Sequence, residues 1–279
     1  MQGVKKVIKT ILLILLASIF VFPLIWMISS SMKPEESIYQ DLDSIQALLP
    51  SFELSQWLSS YSELFARFDI LGYLFNSILY AAIVTVGSIF INGMAGYAFA
   101  KFQFFGKNLL FSLLLAMLIL PVETVIITQF TIIHNLGLVN SRLAVVLPMI
   151  ANAFFIYLFR NFFIAVPNSI IESARIEGAS NWSIFWRIMM PMSKPAIATV
   201  GTLSFIASWN DYIWPLMILT DGDKFPLQVA ITNINSTQPV FTNQIMAILT
   251  ISTIPLIFVY VFAQKYLLQG LGSSGTGSK

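Results

Sequence analysis

Few side chains in this sequence are able to do covalent or metal chemistry. The 279 residues include no cysteine and one histidine, His134. Disulfides, thiol catalysis, cysteine metal sites and histidine clusters are therefore excluded. Gly106-Lys107 lacks the upstream glycine and the following hydroxyl of a Gly-x4-Gly-Lys-[Ser/Thr] phosphate loop. We therefore expect no catalytic residue, no metal and no cofactor on this chain, and a structural role for His134.

Two acids lie inside long apolar stretches, where an ionised group costs about 2.5–3.5 kcal/mol. They are Glu123, which follows Pro121, and Asp211, within Trp209-Asn-Asp-Tyr212. Polar groups beside aromatic rings suit a sugar, whose hydroxyls need hydrogen bonds and whose C–H face stacks on rings. The alternative is that these polar residues only tie helices together. The candidate pathway residues are Glu123, Asn152, Trp209, Asn210, Asp211 and Tyr212.

The composition indicates that membrane-spanning helices position these residues. Hydrophobic residues make up 57% of the chain and charged residues 10%, against about 25% charged residues in a soluble domain. Six long gaps between charges predict an all-α polytopic membrane protein with six transmembrane helices. The gaps span residues 10–32, 71–100, 108–132, 143–163, 195–220 and 243–265. A net charge of +2 gives no reason to expect a nucleic-acid partner.

The first gap resembles a signal peptide, but it is too long and no small-residue cleavage site follows it. We interpret it as a retained helix. Most of the 15 lysines and arginines then lie on the side of the two termini, and most acids outside the spans lie on the other side. The positive-inside rule therefore predicts that both termini are cytoplasmic.

The predicted spans divide the chain into four parts. Residues 1–32 form the cytoplasmic N-terminus and first helix, residues 33–70 an acidic extracytoplasmic loop, and residues 71–268 a five-helix core. This core includes a cytoplasmic loop, 164–194, which we call the inner loop. The Gly/Ser-rich tail, 269–279, is predicted to be disordered.

The inner loop contains the start and stop signals of two short helices. Pro167 precedes the first helix, Ser169 and Glu172 have capping-box spacing, and Gly178 supplies the turn that ends it. Ser180 or Asn181 caps a second helix, which carries Trp182, Phe185, Trp186 and Met189 and ends at Pro191 and Pro195. From this pattern the loop is either an interfacial helix on the membrane or a docking site for a cytoplasmic partner.

One stretch of the inner loop resembles a known motif. Glu172-Ser-Ala174, three residues, Gly178, nine residues, Ile188, two residues and Pro191 is similar to Glu-Ala-Ala-x3-Gly-x9-Ile-x2-Pro. This is the EAA motif of permease subunits of binding-protein-dependent ABC importers, and only Ser173 departs from it. Nearly the whole chain resembles the carbohydrate branch of that family. The supporting segments are Asn76-Ser77, 95–101, 134–140 and 209–215.

The resemblance implies a type I ABC importer permease fold in a bacterial inner membrane. It implies an ABC ATPase dimer that binds ATP and Mg, a second homologous permease forming a heterodimer, and an extracytoplasmic solute-binding protein. The expected cargo is a sugar or oligosaccharide. The residues expected to couple the chain to the ATPase are Glu172, Ser173, Ala174, Glu177, Gly178, Ala179, Ile188 and Pro191.

Three other functions compete with this one. A secondary transporter normally shows internal repeats, and none is evident. An intramembrane enzyme needs a nucleophile with a base or paired metal ligands, and this sequence offers little of either. An importer of a non-sugar solute, such as glycerol phosphate, remains open.

Overall fold

The computed structural model describes residues 2–272, without the side chains of residues 2–4, 122–123 and 265–272. Within residues 2–272 every regular element is helical, which confirms the predicted all-α class. The chain divides into two compact units. The first comprises Met1–Leu71 and Ala230–Leu256, and the second comprises Gly72–Val229 and Ile257–Lys279.

Fifteen α-helices are described between residues 2 and 272. They are α1 Gln2–Ser31, α2 Glu35–Gln40, α3 Ser59–Arg67, α4 Ile70–Lys101, α5 Lys107–Ala116, α6 Val122–Asn135, α7 Arg142–Ile150, α8 Ala153–Ala165, α9 Asn168–Ile176, α10 Asn181–Ile184, α11 Met190–Met192, α12 Lys194–Trp209, α13 Ile213–Ile218, α14 Leu227–Ser236 and α15 Thr242–Gly272. Short 3₁₀ turns follow α2, α5 and α13, and a π-helical turn, Phe185–Met189, joins α10 to α11.

Three of the described helices are long and apolar enough to cross a membrane. They are Lys5–Ser31, Ile70–Lys101 and Thr242–Gln264, and two bent pairs, α5 with α6 and α7 with α8, raise the number to as many as five. The remaining predicted span, 195–220, instead forms the 16-residue α12 and the short α13, with a break between them. The six-span count therefore stays a prediction.

Helix α1 shows most clearly that the chain needs an apolar environment. None of its most apolar window is buried, and side chains such as Ile19 and Phe20 are 67% and 71% exposed. In water such a surface would be strongly unfavourable, whereas lipid tails cover it at no such cost. The exposure of α1 therefore agrees with the predicted membrane location.

The segment after α1 is folded, although the sequence indicated only a long polar loop. The ammonium of Lys33, 3% exposed, donates to the carboxylate of Asp41 at 2.7 Å and to the carbonyl of Gln46 at 2.6 Å. The carboxylate of Glu35 accepts from the backbone N–H of Asn243 at 2.9 Å. These charge-assisted bonds fix the end of α1 and the start of α15 within the first unit.

Two clusters of buried side chains form the core of the second unit. One surrounds Phe159, Phe163 and Phe185, and the other surrounds Tyr80 and Trp214. Each cluster includes residues of α4. The inner loop packs on the first cluster, and α7 and α13 pack on the second, so the clusters support two separate surfaces.

Helix α15 continues to Gly272, past residue 265, where the sequence placed the end of the last span. Only the first four residues of the predicted tail, 269–279, are thus described as helix. The rest of that prediction, residues 273–279, lies outside the described part of the chain.

Candidate functional sites

The first helix of the inner loop, α9, is attached to the end of α4. Pro167 occupies its N-cap position, and no side-chain cap is formed. The predicted capping box of Ser169 and Glu172 is therefore wrong. Instead, the ammonium of Lys101 donates to the carbonyl of Val166 at 2.7 Å and to the side chain of Asn168 at 2.9 Å. The ammonium at the end of α4 thus anchors the entry to α9 through two charge-assisted hydrogen bonds.

Gly178 ends α9 as the sequence predicts. Its φ angle is +84°, in the left-handed region that glycine adopts without a steric penalty. The N–H of Ala179 donates to the carbonyl of Ala174 at 2.9 Å, and the N–H of Gly178 to that of Arg175 at 3.0 Å. These two bonds form a Schellman motif, which fixes the direction of the chain after α9.

The second helix of the inner loop begins at Ser180. Its hydroxyl accepts from the N–H of Ser183 at 3.1 Å, so Ser180 rather than Asn181 is the cap. The helical segment ends at Met192, between Pro191 and Pro195, the two residues predicted to end it. A π-type turn precedes Pro191, and a wider turn reduces the clash between a proline ring and the preceding carbonyls.

The inner loop has a buried base and an exposed ridge. On the base, Ile171 is 4% exposed, and Ile184 and Met189 are fully buried. On the ridge, Ile176 is 88% exposed, beside exposed charged residues of α9. Among the predicted coupling residues, Glu172, Ser173, Glu177, Gly178 and Pro191 are exposed, and Ala174, Ala179 and Ile188 are partly buried. The ridge thus presents an apolar side chain among charged ones, away from the buried base.

A second candidate site is a cavity of about 570 Å³ in the second unit, where two helix breaks meet. One break separates α7 from α8, and the other separates α12 from α13. The described lining residues are Val84, Ile126, Gln129, Pro148, Met149, Ala151, Asn152, Phe155, Ser204, Ala207, Asn210, Asp211, Tyr212, Ile213 and Trp214. Irregular backbone at membrane depth is tolerated where it lines such a space.

The break between α7 and α8, bent by 44°, is held by polar side chains of α4. The amide nitrogen of Asn92, which is fully buried, donates to the carbonyl of Ile150 at 2.8 Å, and its amide oxygen accepts from the N–H of Asn152 at 2.9 Å. The hydroxyl of Ser88 donates to the same carbonyl at 3.1 Å. Backbone groups freed by the break are thereby paired.

Four of the predicted pathway residues come together at the cavity: Asn152, Asn210, Asp211 and Tyr212. Trp209 does not line it, because its side chain is 1% exposed and stacks on Phe205 with 5.7 Å between ring centroids. Glu123 falls within α6, but its side chain lies outside the described residues.

Asn152 and Asp211 each also pair with the helix that follows. The amide oxygen of Asn152 accepts from the N–H of Phe154 at 2.9 Å, so Asn152 caps α8. The carboxylate of Asp211 accepts from the N–H of Trp214 at 3.4 Å. Each residue therefore stabilises a helix start and presents polar atoms to the cavity.

Sequence reasoning missed several polar residues of this site. Gln129 and Ser204 line the cavity, and Asn92 and Ser88 hold one of its walls. Asn92 lies within an apolar span, so the rule that singled out the intramembrane acids would have found it had it been applied to amides. Among the described residues, no group of three or more His, Cys, Asp or Glu side chains is placed to hold a metal.

Comparison with solved structures finds a close match in fold. One chain of the crystal structure of a bacterial ABC transporter involved in the import of the acidic polysaccharide alginate has a TM-score of 0.84 and 28% sequence identity. The match covers 95% of this chain and 97% of that chain. The fold is therefore shared with a chain of an ABC transporter of known structure.

Comparison with curated proteins gives relatives of two kinds. The arabinooligosaccharides transport system permease protein AraQ of Bacillus subtilis is 28% identical over 281 residues, covering 98% of this chain and 96% of AraQ. The sn-glycerol-3-phosphate transport system permease protein UgpE of Yersinia enterocolitica is 36% identical over 203 residues, covering 72% of each.

A family profile matches most of the region that builds both candidate sites. Residues 92–273 match the family described as binding-protein-dependent transport system inner membrane component. The matched region contains the whole inner loop and most of the lining of the cavity. The family resemblance inferred from the inner loop is thereby confirmed, and this chain belongs to the family of binding-protein-dependent transport system inner membrane components.

Proposed function

We propose that this chain is a permease subunit of an ABC importer for a sugar or oligosaccharide. It forms the transmembrane pathway together with a second, homologous permease, as a heterodimer. An extracytoplasmic binding protein delivers the solute. The observation that carries the proposal is the inner loop, in which an exposed ridge around Ile176 stands on a fully buried base.

The ridge of the inner loop is proposed to seat in a cleft of a cytoplasmic ATPase subunit. Movement of that subunit would then reach the membrane through the base, because Ile184 and Met189 are packed in the same cluster as residues of α4 and α8. ATP and Mg are bound by the ATPase dimer, since this chain has no phosphate loop. The chain itself is therefore a transport subunit and not an enzyme.

The coupling role is proposed for the exposed residues of the motif and the small residues that shape its turn. These are Glu172, Ser173, Ala174, Glu177, Gly178, Ala179, Ile188 and Pro191. We propose that the chain lies in a bacterial-type inner membrane. Because the ATPase is cytoplasmic, the inner loop and both termini are then in the cytoplasm, and the segment 33–70 is outside. The proposed core, 71–268, then carries both the inner loop and the cavity.

The solute pathway is proposed to include the cavity. Its polar residues Asn152, Asn210, Asp211 and Tyr212 face one space, as a route for a hydroxyl-rich solute requires. A second candidate cargo is glycerol phosphate, which is favoured by the 36% identity with UgpE. AraQ, matched over nearly the full length of this chain, favours an oligosaccharide.

The test of the proposal is to weaken the ridge without touching its base. Ile176→Asp places a charge where an apolar side chain is 88% exposed. If Ile176 fills an apolar pocket of the ATPase, its replacement should cost about 2 kcal/mol or more of binding free energy, roughly a thirtyfold loss of affinity. The measurements are co-purification of the ATPase and ATP-dependent uptake into proteoliposomes.

Ile45→Asp is the matched control, because Ile45 is 78% exposed but belongs to the segment after α1. We expect this variant to bind the ATPase like the wild type. Normal ATPase binding and normal uptake by Ile176→Asp would refute the coupling role. Uptake that persists in the absence of any ATPase would refute the proposal that this chain belongs to an ABC importer.

A further inference from the structure

The cavity of the second unit combines neutral polar groups with a single carboxylate. Asp211 is the one charged side chain among its described lining residues, which include no lysine, arginine or histidine. The neutral polar side chains are those of Gln129, Asn152, Ser204, Asn210 and Tyr212. The lining therefore offers donors and acceptors of hydrogen bonds but no positive charge.

Aromatic rings lie next to these polar groups. Tyr212 and Trp214 follow Asp211 closely in the chain, and Phe155 reaches the cavity from α8. The indole N–H of Trp214 donates to the carbonyl of Ala144 at 2.9 Å, so its ring is held in place. A sugar presents hydroxyls at its edge and C–H groups at its face, which matches amides and a carboxylate beside fixed rings.

Two basic residues of the second unit, Lys224 and Arg142, form bonds outside the cavity. The ammonium of Lys224 donates to the carboxylate of Asp221 at 2.7 Å, and the guanidinium of Arg142 donates to the side chain of Asn76 at 3.4 Å. Neither residue lines the cavity. An anionic solute would thus enter without a counter-charge from the described lining and would approach the carboxylate of Asp211.

We infer that this cavity selects neutral polyhydroxylated solutes over anionic ones and that Asp211 sets this preference. The inference rests on the proposed function and narrows its substrate class. A neutral oligosaccharide fits the cavity, whereas a phosphate ester or a uronate chain does not. Repulsion between unit charges about 6–12 Å apart, at an effective dielectric constant near 20, corresponds to about a hundred- to tenfold loss of affinity.

The test measures binding by the assembled importer in lipid nanodiscs without its binding protein, so that only the preference of the membrane pathway is observed. Saturation-transfer NMR compares galactotriose with trigalacturonate, which differ only in the carboxylates of the latter. Glycerol 3-phosphate serves as a second anion. Measurements at about pH 8 keep a carboxyl group ionised.

We expect the wild type to bind galactotriose at least about tenfold more tightly than trigalacturonate or glycerol 3-phosphate. Asp211→Asn should abolish most of this difference. Asp43→Asn is the matched control, because it removes an exposed carboxylate from the segment after α1 and should leave the ratio unchanged.

Three results would each overturn the inference: equal or tighter binding of trigalacturonate by the wild type, a ratio that Asp211→Asn does not alter, or no binding of any probe. Failure of the proposed function would show separately, as the absence of ATP-dependent uptake of every solute by proteoliposomes that contain the complete importer.

Discussion

Within the second unit, the inner loop is a convex ridge on a buried base, whereas the cavity is a concave space between broken helices. The ridge comes from one continuous stretch, whose turn at Gly178 is closed by its own backbone bonds. The described walls of the cavity come from six helices and two breaks. One wall depends on bonds from Asn92, far away in the sequence.

This difference teaches which part can transmit force and which can yield. A ridge that is closed locally and packed on a rigid cluster can move as one body when a partner moves. A helix break held by a few side-chain bonds has a second arrangement within reach, because those bonds can exchange with solute or water. Damage to one region should therefore leave the other nearly intact.

Asn92→Leu is expected to give the largest difference between the two regions, by weakening solute binding at the cavity without weakening ATPase binding at the inner loop. This change removes the bonds to Ile150 and Asn152 and leaves a buried backbone N–H without its partner, at a cost of about 1–3 kcal/mol. Galactotriose binding in nanodiscs should fall by about tenfold or more, while co-purification of the ATPase stays near the wild-type level. The control Asn235→Leu alters an exposed amide of α14. Unchanged galactotriose binding by Asn92→Leu would contradict the role of this bracing.

Gly178→Ala is expected to have a smaller effect, and to affect the inner loop instead of the cavity. Alanine at a φ of +84° carries a strain of about 1 kcal/mol, which loosens the turn after α9. Affinity for the ATPase should fall by about fivefold, with galactotriose binding unchanged. Gly137→Ala introduces the same strain at a φ of +67° outside the inner loop and should leave ATPase affinity unaltered. Equal losses of ATPase affinity in both variants would show that the effect is general destabilisation.

The same contrast explains what could be predicted from the sequence. The end of α9 at Gly178 depends on residues within one turn, so its spacing was sufficient. The cap of the next helix was narrowed to Ser180 or Asn181, and the structure selects Ser180.

The start of α9 directly after Pro167 agrees with the sequence, whereas the expected capping box is not formed. The bonds from Lys101 of α4 to the entry of this helix could not be foreseen, because they join residues distant in the chain. In the cavity, polarity inside apolar spans identified Asn152 and Asp211.

The direction of a side chain at a helix break could not be read from the sequence. Trp209 is the last residue of α12, and a break one residue earlier or later would turn its ring towards another neighbour. Here the ring packs on Phe205 and away from the cavity. The six-span count stays a prediction for a related reason, because the break after α12 leaves that helix with 16 residues.

The most direct test of the account is to ask what touches Ile176 in the assembled importer. The chain has no cysteine, so Ile176→Cys provides a single site for a maleimide photocrosslinker, and Ile45→Cys provides the control. We predict that the probe at residue 176 forms a covalent product with the ATPase subunit and that the probe at residue 45 does not. A co-purified ATPase that is never crosslinked from residue 176, or is crosslinked equally from residue 45, would contradict the account.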